Sequence, residues 1–358
     1  MKRIVQFIII MMLFAQILSS SGQGFFFKQK KLDQTLDTAC PIESIEPIDD
    51  AFHGIQGYLS NEWWYFDAVF GNGYQIHIGI RVISLGDKWA IVNQIINIYN
   101  NSVIEYELFE MEPIDNFFIS REYPCIYKNG NSILTFRYND YNHTGIWNYT
   151  ITLHIDPVLV NLTFIQKTQG FKYITANEGW TVAQPKATVY GSLVIDEHVI
   201  PVVGIGYHDH NWNFSLSTAL RSRGWYWGKI SSANYTLTWA KILKMPFTTE
   251  EFVDNIGILS TLDDGFEYIL PENIRFSADE KVFLNGRFIP TEFHLNIDQD
   301  DTIVNVTFQA VSIQQAPPDF FTINYWRYFV LISGYIQNNG KRDYIDDSLQ
   351  IIEFIRFI

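Results

Sequence analysis

Residues 62–82 run Glu62-Trp63-Trp64-Tyr65-Phe66-Asp67-Ala68-Val69-Phe70, then Gly71-Asn72-Gly73, then Tyr74-Gln75-Ile76-His77-Ile78-Gly79-Ile80-Arg81-Val82. Two strand-like runs flank three residues that tolerate positive φ, which is the pattern of a β-hairpin. In the second run Tyr74, Ile76, Ile78, Ile80 and Val82 alternate with Gln75, His77, Gly79 and Arg81, so one face is apolar and the other polar. Residues 188–195 and 198–209 repeat the arrangement around Asp196-Glu197. Similar runs recur to the C-terminus, at 292–296, 302–311, 321–337 and 349–357, and almost no window carries the spacing of a long amphipathic helix. The expected fold is all-β and antiparallel. A break around 215–224 divides it into two barrels or sandwiches lying side by side.

Composition agrees. Of 358 residues, 47% are hydrophobic, 16% aromatic and 18% charged, which excludes disorder as the main state and suits half-buried sheets. A formal charge of -14 without any basic run excludes nucleic acid as a partner.

Lys2-Arg3, an apolar stretch over 4–18 and Ser19-Ser20-Ser21-Gly22 have the three parts of a secretory signal peptide over residues 1–24. Export is therefore expected, with membrane association only if that segment stays uncleaved. Two cysteines, Cys40 and Cys125, suit either a single disulfide or two free thiols. Seven Asn-x-Ser/Thr sequons (Asn100, Asn142, Asn148, Asn161, Asn213, Asn234 and Asn305) are potential glycan sites, with Asn142, Asn148 and Asn161 the first expected. Residues 25–50 have no sustained period and are expected to form an arm or linker without function.

Three clusters combine aromatic and polar residues: Asn61 to Asp67; Gly206-Tyr207-His208-Asp209-His210-Asn211-Trp212; and Gly224-Trp225-Tyr226-Trp227-Gly228-Lys229. In an extended strand Glu62, Trp64 and Phe66 share one face, and Trp63, Tyr65 and Asp67 the other. A carboxylate buried beside an indole loses solvation, and its pKa rises toward the range of a general acid. His208, His210 and Trp212 likewise share a face, opposite Tyr207, Asp209 and Asn211. Two imidazoles so placed suit a proton relay, a metal pair or a hydrogen-bonded domain junction. A metal would need a third ligand from His53, His77, Glu62 or Glu178, which no spacing supports, and neither metal nor cofactor is expected.

These clusters resemble the carotenoid 1,2-hydratase (hydroxyneurosporene synthase, CrtC) and AttH-like family. The likeness rests on Glu62-Trp63-Trp64-Tyr65-Phe66, on Tyr207-His208-Asp209-His210-Asn211-Trp212 and on Trp225-x-Trp227-Gly228, and it spans roughly residues 51–240. It implies two lipocalin-like antiparallel barrels, an N-terminal one over 51–220 and a C-terminal one over 221–358. The family holds hydratases that protonate an isoprenoid double bond and add water, fungal cyclases related to Diels-Alderases, and exported members of unassigned role. Carried over residue by residue, its hydratase machinery falls on His210, Trp212 and Tyr235. The acid two residues beyond the tyrosine is absent, since that position is Leu237 and no Asp or Glu lies between Asp209 and Glu250.

The leading expectation is a hydratase or cyclase acting on a hydrophobic, isoprenoid-like small molecule in an aromatic pocket between the barrels. His210 would be acid or base, Tyr235 its partner, and His208, Asp209 and Glu62 further polar groups. Trp212 would steady a cation. Trp63, Trp64, Tyr65, Tyr207, Asn211, Trp225 and Trp227 would line the pocket. A lipocalin-like carrier and a structural surface glycoprotein are the alternatives.

Overall fold

The computed structural model describes residues 42–86, 88–174, 178–214, 222–245, 254–262, 265–284, 287–316 and 324–356. The signal segment and Cys40 lie outside them. The described chain is all-β, with one antiparallel sheet of thirteen strands over 42–214 and another of nine over 222–356. One curls into a nearly closed barrel and the other into a half-barrel, so the expected pair of lipocalin-like barrels is present. The α-helix Tyr138–Thr144 has seven residues, in keeping with the missing helical periodicity.

The two hairpins form where the turn residues stand. Tyr58–Phe70 pairs with Tyr74–Leu85, and Gly179–Ile195 pairs with His198–Phe214 across Asp196 and Glu197, both at positive φ. Tyr58–Phe70 also pairs with His198–Phe214, with Phe66 opposite His208 and Trp64 opposite His210. Sequence clusters nearly 150 residues apart thus become neighbours by sheet registry.

One face of this central pair looks into the first barrel, where Trp64, Phe66, Ile76, Ile78, Ile80 and Phe164 join one apolar core. The other face meets the second sheet through Tyr65, Tyr207, Trp180, Trp227 and Ile258. This contact explains why Gln75 and His77, on the polar face of their strand, are buried. Their hydrogen bonds are met within the interface: Gln75 accepts from the Ser102 amide at 3.0 Å, and His77 Nδ1 lies 3.2 Å from Asn97 Nδ2.

Charges tie the sheets together. Lys229 pairs with Asp67, Arg327, itself 3.0 Å from Glu353, donates through Nη1 to the Tyr99 hydroxyl at 2.6 Å, and the Tyr65 hydroxyl lies 2.8 Å from Glu353. Residues 42–50 are no free arm. Ile42–Glu43 pairs with Phe171–Ile174, and Pro47–Asp50 forms a 3-10 turn whose Asp49 and Asp50 carbonyls accept from Thr181 Oγ1 and Trp64 Nε1. Among the sequons Asn142, Asn161 and Asn305 are exposed, whereas Asn148 is half-buried and the Asn234 amide is held by Asp343.

Candidate acid-base site

The site begins with the alternation of two paired strands. Because His208 and His210 stand opposite Phe66 and Trp64, each imidazole lies flat on its partner ring, His208 on Phe66 at 3.8 Å and 2°, His210 on Trp64 at 4.4 Å and 14°. Stacking fixes the ring planes and leaves the ring nitrogens facing along the barrel wall.

Carboxylates fill the gaps between them. Asp50, carried in by the 3-10 turn, accepts from the Tyr149 hydroxyl and lies 3.0 Å from His208 Nε2 through Oδ2, with Oδ1 3.4 Å from His210 Nδ1. Glu62 Oε1 lies 3.0 Å from His210 Nε2 and 3.2 Å from His53 Nδ1, and it accepts the His53 amide at 2.8 Å. His208 Nδ1 donates to the Tyr65 carbonyl at 2.9 Å. The result is an alternating row, His208–Asp50–His210–Glu62–His53. Its side chains are 0% exposed at His208, Asp50 and His210, 5% at Glu62 and 22% at His53, so the row runs from the barrel interior to a rim. At that rim His53 stacks on Trp212 at 4.2 Å.

The electrostatics follow from this alternation. Burial alone would raise both carboxyls, but for Asp50 the charge and hydrogen bonds of His208 and His210 outweigh it and hold the group far below its usual range. For Glu62 the hydrogen bonds of His210 and His53 do the same. Burial would lower His210, yet its two carboxylate neighbours push it up to about 9. The expectation that a neighbouring indole raises Glu62 toward acid catalysis is therefore overturned: the imidazoles act on its charge more strongly than the lost water. At neutral pH the row holds anionic carboxylates and a cationic His210.

The remaining sequence candidates separate by face. Asp209, Tyr207, Asn211, Tyr65 and Trp227 point away from His210, toward the second sheet. Asp209 accepts there from Trp180 Nε1 at 2.9 Å and the Tyr207 hydroxyl at 2.8 Å, and burial, against those bonds, pushes it up to about 6. Trp227 packs edge-on against Tyr65 and Tyr207, and Trp63 and Trp225 both pack on Phe214. Tyr235 sits in the second barrel's core, its hydroxyl 3.2 Å from the carbonyls of Asn338 and Lys341. The expected single pocket between the barrels, shared by His210, Tyr235, Trp225 and Trp227, is thus corrected: His210 stacks on Trp64 in the first barrel, Trp225 and Trp227 lie at the contact of the two sheets, and Tyr235 lies in the second barrel's core. His77 also lies on the interface side, where burial and the charges of Arg327 and Lys229 hold it well below its ordinary pKa.

No family model matches the chain, and no curated protein does. Solved structures match over most of its length. An AttH protein of Nitrosomonas europaea superposes with a TM-score of 0.58 at 13% identity, covering 88% of this chain and 98% of its own. Kievitone hydratase from Nectria haematococca gives 0.57 at 12%, covering 89% and 94%, and CghA solved with Sch210972 gives 0.57 at 8%, covering 84% and 89%. The chain has the AttH-type two-barrel fold.

Within this AttH-type fold, sequence reasoning placed His208, His210 and Trp212 on one face of their strand and Glu62, Trp64 and Phe66 on one face of theirs, faces that the sheet registry joins, and it missed Asp50. The available signal was Pro47-Ile48-Asp49-Asp50, a proline opening a helical turn followed by acids, a few residues before the strand Tyr58–Phe70. His53, Glu62 and His210 also converge tightly enough to hold a cation, since their donor atoms all lie within 4.8 Å of one another. Asp50 beside the other nitrogen of His210 would orient that ligand.

Proposed function

We propose that this chain is a hydratase-type acid–base enzyme acting on a hydrophobic small molecule at the rim formed by Glu62, His53 and Trp212. The observation that carries the reading is the imidazole–carboxylate row, which links a buried cation to a half-exposed edge through direct contacts. Because Glu62 is held ionised and His210 is a weak acid, the row suits an activated, carbonyl-conjugated double bond better than an isolated alkene, whose protonation needs a strong acid. Glu62 takes a proton from water as its oxygen adds to the electron-poor carbon, and the row returns a proton to the adjacent carbon, so that one H and one OH are added. Ring closure driven by the same proton shifts is the cyclase version. Kievitone hydratase, named for a hydration, shares the fold and supports the class of chemistry.

The test is mass spectrometry of enone-bearing hydrophobic extracts incubated with wild type, Glu62→Gln and His210→Gln. A gain of one water with wild type alone supports the reading, whereas a ligand retained unchanged by all three sinks it in favour of a carrier. The convergence of His53, Glu62 and His210 favours a second reading, a divalent cation activating the water. Metal analysis of the purified protein, and hydration with and without a chelator, separate the two. We also propose that residues 1–24 direct export; N-terminal sequencing of the secreted protein tests this.

A further inference from the structure

The second barrel carries a site of different character. Tyr226 stands opposite Phe354, and Phe354 opposite Trp326, on three adjacent strands, so their rings form a stacked row with centroids 4.2 Å and 5.1 Å apart. This row floors a cavity of about 370 Å³, within the range of small-molecule sites. Lys281, Arg287 and Arg356 line the same cavity. Three cations crowd one pocket of a chain whose formal charge is -14. Burial, and then repulsion from Arg223 and Arg287, hold Arg356 below its ordinary pKa. Trp326 is 1% exposed, so the row belongs to the barrel core as well as to the cavity wall.

We propose that this cavity binds a hydrophobic carboxylate with a flat, conjugated body. The carboxylate sits among Arg287, Arg356 and Lys281, where the planar guanidinium matches its two oxygens. The flat body lies across the edges of the stacked Tyr226–Phe354–Trp326 rings, in the edge-to-face arrangement that aromatic groups favour. This site is distinct from the acid–base rim, whose residues all belong to the first barrel.

Calorimetric titration with 2-naphthoate, and with 2-naphthamide as its neutral analogue, tests the proposal on the full chain. Naphthoate should bind more tightly than the amide. Arg356→Gln should weaken naphthoate about tenfold or more, Arg356→Lys should restore part of the loss, and neither should alter the amide. Ala278→Trp, which fills the cavity, should abolish both, while Glu62→Gln in the first barrel should change neither. No naphthoate binding to wild type, equal binding of acid and amide, or weakening by Glu62→Gln with none by Arg356→Gln would overturn it.

Discussion

Raising the pH should strip this protein of stability through His210. Its folded pKa, pushed up to about 9, exceeds the unfolded value of 6.5, so its contribution is fully present below about pH 6.5 and is lost as pH rises through 9. The gap of roughly 2.5 units at about 1.4 kcal/mol per unit amounts to about 3 kcal/mol. Physically, the lost proton leaves Asp50 and Glu62, both buried and ionised, without the cation between them. Urea unfolding followed by tryptophan fluorescence, with chelator present, would compare wild type and His210→Gln at pH 6.5 and 9.5. That ceiling stays below tyrosine ionisation. With a slope of about 3 kcal/mol per molar urea for a chain this large, the wild-type midpoint should fall by about 1 M. The glutamine variant should be weaker at pH 6.5 but largely free of this alkaline loss. A flat wild-type midpoint, or the same alkaline loss in both proteins, refutes the claim that two carboxylates hold His210 charged.

Asp50→Asn should lower the His210 pKa by about a unit or more in proton-detected NMR titration, because one of its two stabilising anions is gone, and should destabilise by about 3 kcal/mol. Glu353→Gln leaves Arg327 buried against the other sheet without its counter-charge, and equilibrium unfolding should show a loss of about 3 to 5 kcal/mol; replacing both partners by apolar residues of like volume should cost far less. A Cβ added at Gly179 would lie 2.0 Å from Trp212 Cε2, so Gly179→Ala should push the indole off His53. The hydration proposed at the rim should drop while circular dichroism stays that of the wild type.

The hairpin at 58–85 was legible because a period of two and a glycine-rich turn are local signals, and the register follows once the turn is placed. The sharing of one face by Glu62, Trp64 and Phe66, and by His208 and His210, was legible for the same reason. Which face turns inward was not. Both faces of 62–67 carry an acid and an indole, so composition cannot distinguish the side packed in the barrel from the side packed on the second sheet. That choice depends on contacts such as Tyr65 with Glu353, 288 residues apart. The same distance hid the acid. A search for the missing carboxylate between Asp209 and Glu250 follows the order of a related chain, yet His208 meets its carboxylate 158 residues upstream, at the end of a short turn with no periodicity to reveal it.

The origin of that acid also bears on the chemistry. A carboxyl kept protonated in an apolar pocket would serve as a strong donor to a plain alkene. Asp50 and Glu62 are instead interleaved with imidazoles, which pull both carboxyls down and push His210 up. Trp212, the indole expected to steady a carbocation, reaches the rim beside His53, but Trp63, Trp225 and Trp227, expected to line the same pocket, lie on the side of the second sheet. Charge state and aromatic placement therefore favour, for the hydration proposed above, an addition that begins with a base and an electron-poor carbon rather than with a naked cation.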